Sequence, residues 1–449
     1  MTEYIHESGR DIPVCAEADI CIAGGSCTGV FAAVRAARMG CRVILCEEMN
    51  ALGGAAVHGL VNIWHTLYDT EDKQQVIAGL TAEVLERLQA LGALTVSPLR
   101  SSSYNFNPCE LAIELDRLTD EHKIEVRFHT RVCGVLTDAR RLQAVLVEDQ
   151  SGRRAIRASF FIDCTGDGDL AARLGLESFV NPYIQPPTAC FHLQGDMTGV
   201  NLGELVREHG AEFGLGDDWG WSTGVAGCRG ITMRADHHVF GVRCDIAEDL
   251  TRAEKTGRAQ MRAFVSLLKK YGRPDTHYAI TNFASYIGIR ETVHYVTKFR
   301  ADELSLLTGR RYDAPVLNGT YPTDRHHAED MGISFKYLDG TMRTMYGKGT
   351  RTVTGNWREE LGITTPPATY YQLPFEVLLQ ERWENFLCAG RMINADAGAF
   401  GALRVMVNLN QLGEAAGCAA AICLDEGRAV QAIDPKQVTS ALRKGGSAV

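Results

Sequence analysis

The sequence predicts an α/β fold in which a parallel sheet with an attached β-meander surrounds an inserted α+β domain. Residues 18–23 and 41–46 are short apolar runs joined by a glycine-rich turn and a helical pattern, as in buried parallel strands linked by a helix. Prolines cluster at 181–187 and 365–367, and the stretch between them has its own long helical pattern over 247–271. We therefore expect the chain to leave the parallel sheet, form a separate domain and return.

The composition is that of a globular protein of two or three domains, with 449 residues, of which 45% are hydrophobic and 22% are charged. The net charge is −9 without a long block of either sign, which argues against binding to nucleic acid or anionic membranes. The 14 cysteines are scattered and form no C-x-x-C pair, so we expect no metal site. The N-terminus lacks signal-peptide features and no apolar run approaches ~18–20 residues, so we expect a cytoplasmic protein that does not enter a membrane.

We divide the chain into a lead-in, a discontinuous sheet domain, an insertion and a tail. The lead-in is 1–18, the sheet domain is 19–180 with 368–430, the inserted substrate or cap domain is 181–367, and the C-terminal helix or tail is 431–449. Helices are predicted over 72–91, from Asn107 onward, over 247–271 and over 402–424, a β-meander over 124–129, 131–136, 142–148 and 155–163, and a further strand over 385–389. The small residues of the last long helix permit a close approach to other backbone.

A glycine-rich loop follows the first apolar run and consists of Gly24, Gly25, Ser26, Cys27, Thr28 and Gly29. It differs at one position from the G-x-G-x-x-G fingerprint of dinucleotide-binding folds, because Ser26 takes the place of the second glycine. In that fingerprint the glycines make a tight turn, let the backbone reach a pyrophosphate and allow close packing of helix on strand. The helix that follows directs its N-terminal amides at the phosphates. The loop therefore predicts a Rossmann-like nucleotide site.

A carboxylate at the end of the second strand supports this prediction. Glu47 lies about 20 residues after the first glycine, where the fingerprint places an acidic residue on a ribose hydroxyl. The alternative is that the loop is an ordinary β–α turn and that Glu47 is a solvated strand end. The order strand, loop, helix, strand and carboxylate favours the nucleotide site.

A second glycine pair, Gly53 and Gly54, comes shortly after this carboxylate. NAD-binding proteins do not require such a pair, whereas flavoproteins use one where the chain doubles back over the pyrophosphate. The sequence resembles the bacterial FAD-dependent oxidoreductase family of the glutathione-reductase structural class over nearly its whole length. The segments that carry the resemblance are 24–29, 43–47, 52–54, 59–62, 161–169, 287–291, 319–324, 390–391 and 403–406.

The resemblance implies FAD as the cofactor and assigns residues to each part of it. The loop Gly24–Gly29 would hold the pyrophosphate, Glu47 with its neighbour Glu48 would lie at the adenosine ribose, and Val132 would present its backbone to adenine. The residues Gly53, Gly54, Cys164, Thr165, Gly166, Asp167, Gly390, Arg391, Gly401, Ala402, Arg404 and Val405 would line the rest of the cofactor site. Arg404 would begin the last long helix, whose N-terminus would face the flavin pyrimidine edge and stabilise negative charge there.

A second match to the glycine fingerprint, Gly166-x-Gly168-x-x-Ala171, could indicate a separate NAD(P) site. No strand ending in a carboxylate follows at the required distance, and Asn181 with Pro182 intervenes instead. We favour the interpretation that this segment is backbone of the flavin site.

Four residues are candidates for handling the substrate. His58 and His65 follow the second glycine pair, and the chain there heads towards the flavin; His326 follows the motif that ends in Asp324. Most histidines are surface or core residues, which is the alternative for each. Arg290 could bind an anion in the active site, or it could form a structural ion pair with Glu291 that ties the insertion to the sheet domain.

We predict a two-electron transfer between flavin N5 and a small polar molecule that bears a C–OH or C–NH group, with a histidine handling the proton. A reductase of an activated C=C bond is the rival enzyme. An RNA-directed or non-catalytic FAD-binding protein is a third hypothesis, against which the net charge of −9 argues. The expected partners are a small-molecule substrate and an electron acceptor of unidentified class, and a homo-oligomer is compatible with the sequence.

Overall fold

The computed structural model describes residues 5–6, 9–96, 103–218, 220–327, 329–347 and 351–449. Part of the expected lead-in, residues 1–4 and 7–8, therefore lies outside the described residues. The helices are α1 Cys27–Arg38, α2 Leu80–Ala90, α3 Pro108–Glu121, α4 Asp169–Arg173, α5 Leu202–His209, α6 Ala247–Tyr271, α7 Glu303–Leu307, α8 Trp357–Glu360, α9 Ala397–Leu403, α10 Met406–Glu426 and α11 Pro435–Lys444.

The strands of the sheet domain and of the connections to it are β1 Val14–Ala23, β2 Val43–Cys46, β3 Ile63–His65, β4 Leu94–Val96, β5 Ser103–Phe106, β6 Glu125–Arg127, β7 Arg131–Asp138, β8 Arg141–Asp149, β9 Gly152–Asp163 and β10 Ser178–Phe179. The later strands are β11 Phe191–Gln194, β12 Trp221–Gly224, β13 Ile231–Ala235, β14 Ala279–Phe283, β15 His294–Tyr295, β16 Pro315–Gly319, β17 Thr323–His326, β18 Ile333–Lys336, β19 Thr341–Tyr346, β20 Arg351–Asn356, β21 Tyr371–Pro374 and β22 Phe386–Cys388.

The central sheet is parallel in the order β6, β2, β1, β9 and β22. Strand β9 is long: its first half pairs antiparallel with β8, which continues to β7, and its second half pairs with β22. The predicted four-stranded meander is therefore wrong in its first member. Because β6 follows α3, a crossover connection places it parallel to β2, and only β7, β8 and β9 form the meander.

The prediction of buried parallel strands is confirmed. The side chains of Ile20, Cys21 and Ile22 in β1 are fully buried, and so is the second strand from Val43 to Cys46. One face of the sheet packs on α1 and α10, and the other packs on the meander and α4. Strands covered on both faces need continuous apolar runs, which is the pattern in the sequence.

The predicted helix over 402–424 is two helices, because the chain becomes extended at Val405 (φ −68°, ψ 141°) between α9 and α10. Arg404 therefore ends the short helix α9 and does not begin the long one. The expected close packing is confirmed in α10. A Cβ added at Gly413 or Gly417 would collide with backbone of α1 at Thr28 or Ala32.

The predicted helix over 72–91 is correct only from Leu80 to Ala90. Before it, the carboxylate of Asp69 accepts hydrogen bonds from the amides of Lys73 (2.8 Å) and Gln74 (3.2 Å), which closes a turn instead of a helix. The other helix predicted in this region begins as expected, with the Asn107 side chain accepting from the amide of Cys109.

The inserted part of the chain contains two antiparallel sheets, in the orders β12-β13-β11-β14 and β17-β18-β19-β20. Helix α6 has the bounds that the sequence predicts, and its Phe264 and Leu268 pack with Phe191 and Leu193 of β11. Ala301, Leu306, Val316 and Leu317, by contrast, share the hydrophobic core of the sheet domain. The domain boundaries at 180 and 367 stay a prediction. No helix in the described part of the chain is long and apolar enough to cross a membrane.

Candidate active site

One cavity of about 760 Å³ lies where the carboxyl ends of the parallel strands meet the inserted part of the chain. Ligands of open α/β sheets bind at this edge, where the strand order reverses. The predicted site residues that line the cavity are Gly24, Ser26, Cys27, Thr28, Glu47, Glu48, Gly53, Gly54, His58, His65, Val132, Cys164, Thr165, Gly166, Asp167, Arg290, His326, Gly390, Arg391, Arg404 and Val405. The structure thus brings together residues that are spread over almost 400 positions in the sequence.

Four predicted site residues do not line this cavity: Gly25, Gly29, Gly401 and Ala402. Gly29 has no room for a side chain because a Cβ would collide with the carbonyl of Gly24, so it serves the packing of helix on strand. Gly401 lets α9 approach β17, since a Cβ there would lie 2.5 Å from the carbonyl oxygen of Asp324. The sequence predicts that Gly401 and Ala402 line the cofactor site, whereas in the structure neither residue lines the cavity.

The glycine-rich loop forms the turn between β1 and α1. Gly24 has a left-handed backbone (φ +95°), which favours glycine. The hydroxyl of Ser26 accepts from the amide of Gly29 at 3.4 Å and caps α1, so the serine fills a helix-capping role at the place of the missing glycine. The N-terminus of α1, with its positive dipole end, opens into the cavity through Cys27 and Thr28.

The second glycine pair lies directly against this loop. The amide of Gly53 donates to the carbonyl of Gly25 at 2.8 Å, and Ser26 forms a parallel bridge with Gly53. Gly53 and Gly54 both have left-handed backbones (φ +116° and +52°). The chain therefore doubles back over the loop, as the resemblance implies.

Glu47 is a buried carboxylate at the cavity wall. Its Oε2 accepts from the amide of Gly25 at 2.6 Å, and its Oε1 accepts from the amide of Met49 at 2.8 Å. A carboxylate has about four acceptor positions, so two remain for a ligand hydroxyl. Glu48 beside it is partly exposed and lies 3.7 Å from Arg131, and burial raises the pKa of its carboxyl.

These residues fit the ADP half of FAD. A helix N-terminus suits the pyrophosphate, the free acceptor positions of Glu47 suit a ribose, and the buried Val132 offers an apolar wall for adenine. The backbone amides of a second helix N-terminus also fit FAD, because α10 begins at the cavity wall with Val405 and Met406.

Two predicted site residues, Asp167 and Arg391, form polar contacts with other residues of the protein. Arg391 forms an ion pair with Asp167 and donates from Nη1 to the carbonyl of Ile289 at 2.9 Å. Asp167 also accepts from the Thr292 hydroxyl at 2.6 Å. This pair joins the turn after β9 to the inserted part of the chain, while both residues still line the cavity.

The second glycine fingerprint does not make a phosphate site. The amides of Leu170 and Ala171 at the start of α4 donate to Asp163 at 2.8 and 3.0 Å, so a carboxylate of the protein already takes the place of an anion. The next strand, β10, pairs antiparallel with β15 outside the parallel sheet. These contacts agree with the interpretation of this segment as flavin-site backbone.

His58 has both ring nitrogens engaged. Its Nε2 donates to the carbonyl of Ala51 at 2.8 Å, and its Nδ1 lies 3.0 Å from the hydroxyl of Ser285. The ring ties the second glycine pair to the inserted sheet, and it is poorly placed to exchange a proton with a ligand.

His65 and His326 both line the cavity. The His65 ring packs on Tyr321 with 4.1 Å between the centroids, and burial lowers its pKa to about 4. Burial, reinforced by the charge of Arg290, holds the pKa of His326 well below its usual range. Both imidazoles are therefore neutral near pH 7, and neutral imidazole is a proton acceptor.

Arg290 is not the partner of Glu291. The Glu291 carboxylate accepts from Asn181 (2.7 Å) and from the amide of Gln185 (2.9 Å), and lies 3.1 Å from His294. Arg290 instead donates from Nη1 to the carbonyl of Pro186 at 2.9 Å. The expected ion pair between neighbours in sequence does not form, although Glu291 does join separate segments.

Arg404 pairs with Asp324 at 3.0 Å and donates to Gln185 Oε1 at 3.3 Å. The Asp324 carboxylate also accepts from the Tyr321 hydroxyl at 2.9 Å. The Nε of Arg404 is buried and has no hydrogen-bond partner among the described residues. Arg404 thus places Nη2 on the Asp324 carboxylate, while none of the described residues accepts a hydrogen bond from its Nε.

Sequence reasoning missed Asp218 and His238. The His238 Nδ1 lies 2.9 Å from the Asp218 carboxylate, which also accepts from the His238 amide at 2.6 Å. The His238 ring lies 4.3 Å from that of His326, and its Nε2 has no hydrogen-bond partner in the described part of the chain. The pair is separated by 20 positions with no motif around it, so the sequence carried no signal.

A glycine loop, a ribose-type carboxylate and a large cavity at the edge of a parallel sheet define an enzyme of the dinucleotide-binding α/β class. The chain belongs to the FAD dependent oxidoreductase family, whose model matches residues 19–442. It is thus a flavoprotein oxidoreductase with FAD as its cofactor, as the sequence predicts. No curated protein matches the sequence.

Among solved structures, the chain is similar to a geranylgeranyl bacteriochlorophyll reductase-like protein from Thermoplasma acidophilum, with 10% identity over 96% of this chain and 82% of that chain and a TM-score of 0.46. The myxobacterial chondrochloren halogenase gives 12% identity, 96% and 79% coverage and a TM-score of 0.46. The p-nitrophenol 4-monooxygenase from Pseudomonas putida DLL-E4 gives 11%, 95% and 84%, and 0.43.

Proposed function

We propose that this FAD-dependent oxidoreductase, with the glutathione-reductase type of FAD domain, oxidises a C–OH or C–NH group of a small polar molecule. The observation that carries the proposal is that His326 and Asp324 lie together in the wall of the cavity that also contains the glycine loop, with 3.6 Å between the His326 Nε2 and the Asp324 carboxylate. Oxidation of an alcohol or amine requires a proton acceptor, and a buried neutral imidazole near pH 7 is one.

Bound FAD would supply flavin N5 as the acceptor of the hydride that leaves the substrate carbon. The protein supplies the proton acceptor, since His326 Nε2 would take the O–H or N–H proton as the C=O or C=N bond forms. Asp324 lies 3.6 Å from this nitrogen and would stabilise the imidazolium. The charge of Arg290 acts in the opposite sense and favours release of the proton.

Reduction of an activated C=C bond is the rival function. That reaction requires a proton donor, and Tyr321, whose pKa burial raises well above its usual range, would be the group to supply it. Tyr321 lines the cavity but donates its hydroxyl hydrogen to Asp324 at 2.9 Å. A neutral histidine is therefore better placed as acceptor than the tyrosine is as donor.

Anaerobic mixing of the oxidised holoenzyme with a panel of small alcohols and amines tests the proposal. We expect one chemical class to bleach the flavin, and His326→Asn to slow the bleaching while FAD stays bound. The proposal fails if no alcohol or amine reduces the flavin and an activated alkene reoxidises chemically reduced enzyme. Retention of tRNA in a low-salt filter assay would favour the RNA-directed hypothesis instead.

A further inference from the structure

We infer that Arg290 forms a subsite for a carboxylate group of the substrate, so that the substrate is a small carboxylic acid with the C–OH or C–NH group close to its carboxylate. The inference rests on the proposed function and narrows it to one class of substrate. It comes from the position and the unbalanced charge of this side chain.

Among the described residues, the Arg290 guanidinium has hydrogen-bond partners at Nη1 alone. Its Nη1 donates to the carbonyl of Pro186 and to the hydroxyl of Thr188, and the backbones of Thr188 and Gly288 are bridged beside it. Both Thr188 and Arg290 line the cavity. The remaining donors of the planar group are therefore available to a ligand, and their fork geometry matches a carboxylate.

The positive charge of Arg290 has no carboxylate within ion-pair distance among the described residues, although several acidic groups are near. Asp324 is taken by Arg404, and Asp218 by His238. Burial lowers the pKa of Arg290 to about 10, so the group remains a cation at neutral pH. A desolvated charge without a counter-ion is unfavourable, and a ligand carboxylate would remove that penalty.

The proton acceptor lies close to this subsite. The amide of His326 donates to Gln185 Oε1 at 3.4 Å, the next residue Pro186 accepts from Arg290 at 2.9 Å, and the side chains of Arg290 and His326 line the same cavity. One small molecule could therefore place its carboxylate on Arg290 and its hydroxyl or amine at His326. The acids that meet this requirement carry a carboxylate together with an alcohol or amine group in one small molecule.

Binding of an inert carboxylate to the oxidised holoenzyme tests the inference without turnover. Malonate is the probe, neutral malonamide is its matched control, and the change in the flavin absorption spectrum reports binding. We expect Arg290→Gln to raise the malonate Kd about 10- to 100-fold, the loss of one charged hydrogen-bonded contact, and Arg290→Lys to raise it less. Arg262→Gln, at an exposed position of α6, removes the same charge away from the cavity and should leave the Kd unchanged.

An unchanged malonate Kd in Arg290→Gln, or malonamide binding as tightly as malonate, would overturn the inference. Loss of FAD from Arg290→Gln, with malonate affinity kept in the flavin-loaded fraction, would assign the arginine to the cofactor and overturn it as well. Should Arg290→Gln not fold, Thr188→Val removes the hydroxyl that orients the guanidinium and should raise the Kd by a smaller factor. If a neutral alcohol bleaches the flavin while carboxylates leave its spectrum unchanged, the proposed function stands and the subsite fails.

Discussion

Replacing Arg404 by Met separates its contact with the protein from its effect on the flavin. The substitution keeps much of the side-chain stem but leaves Asp324, whose side chain is 8% exposed, with the Tyr321 hydroxyl as its remaining hydrogen-bond donor. Removing one member of a buried ion pair typically costs about 3–5 kcal/mol. We therefore expect a lower thermal unfolding midpoint, which the sequence alone did not indicate.

The same variant should also change the flavin midpoint potential. Arg404 lines the cavity next to Val405, the residue that precedes α10, so its charge would stabilise the anionic reduced flavin. A loss of about 1–3 kcal/mol corresponds to a fall of roughly 20–65 mV for a two-electron couple. A spectroelectrochemical titration of both proteins measures it.

The double variant Arg404→Met with Asp324→Asn is the control. It removes both charges of the pair, so no unpaired charge remains buried and both stability and potential should return towards the wild-type values. A potential equal to that of the wild type in Arg404→Met, together with reduced stability, would show that Arg404 is only a structural anchor. Our placement of the flavin pyrimidine edge would then be wrong.

Three further outcomes are expected. Glu47→Gln removes an acceptor from one of two backbone amides, so chemical denaturation of the apoprotein should show a loss of about 1–3 kcal/mol in stability. FAD should also bind more weakly in a fluorescence titration of the apoprotein, and an equal FAD affinity would refute the ribose contact. Because the pKa of His326 is lowered on folding, the acid limb of the kcat/KM profile should lie below about pH 6.5, and an acid limb above that value would exclude His326 as the base. The free energy of unfolding should decrease as pH falls below about 6.5, since the unfolded chain takes up the proton first. Gly413→Ala forces α10 away from Thr28 and should lower the stability measured in thermal unfolding by about 1–3 kcal/mol. Gly224 has open space around it, so Gly224→Ala should leave the stability unchanged, and equal effects of the two substitutions would contradict the packing.

The sequence predicted those features that depend on neighbouring residues. The apolar run before Gly24, the helix after it and the carboxylate of Glu47 form a local pattern, and the structure contains each of them in order. The capped start at Asn107 and the bounds of α6 are likewise local, because a cap satisfies amides within one turn and an amphipathic helix repeats every few residues.

The elements that the sequence misjudged depend on contacts between distant segments. Apolar residues such as Val76 suggested one long helix, but the turn built on Asp69 places them in a buried loop. A strand such as β6 has the same local pattern in a meander and in a parallel sheet, and only its pairing with β2 distinguishes the two.

The chemistry of the cavity was decided by tertiary structure alone. His58 and His326 are equivalent in a sequence, yet folding engages both nitrogens of the first, whereas burial and the charge of Arg290 lower the pKa of the second. Arg290 has an acidic neighbour in the chain, Glu291, but that carboxylate binds other segments, and no carboxylate of the described residues forms an ion pair with the arginine. Charge and protonation depend on which groups are brought within a few ångströms in a desolvated space, and residues from β17, from the inserted loops and from the junction of α9 and α10 meet there only in the folded chain.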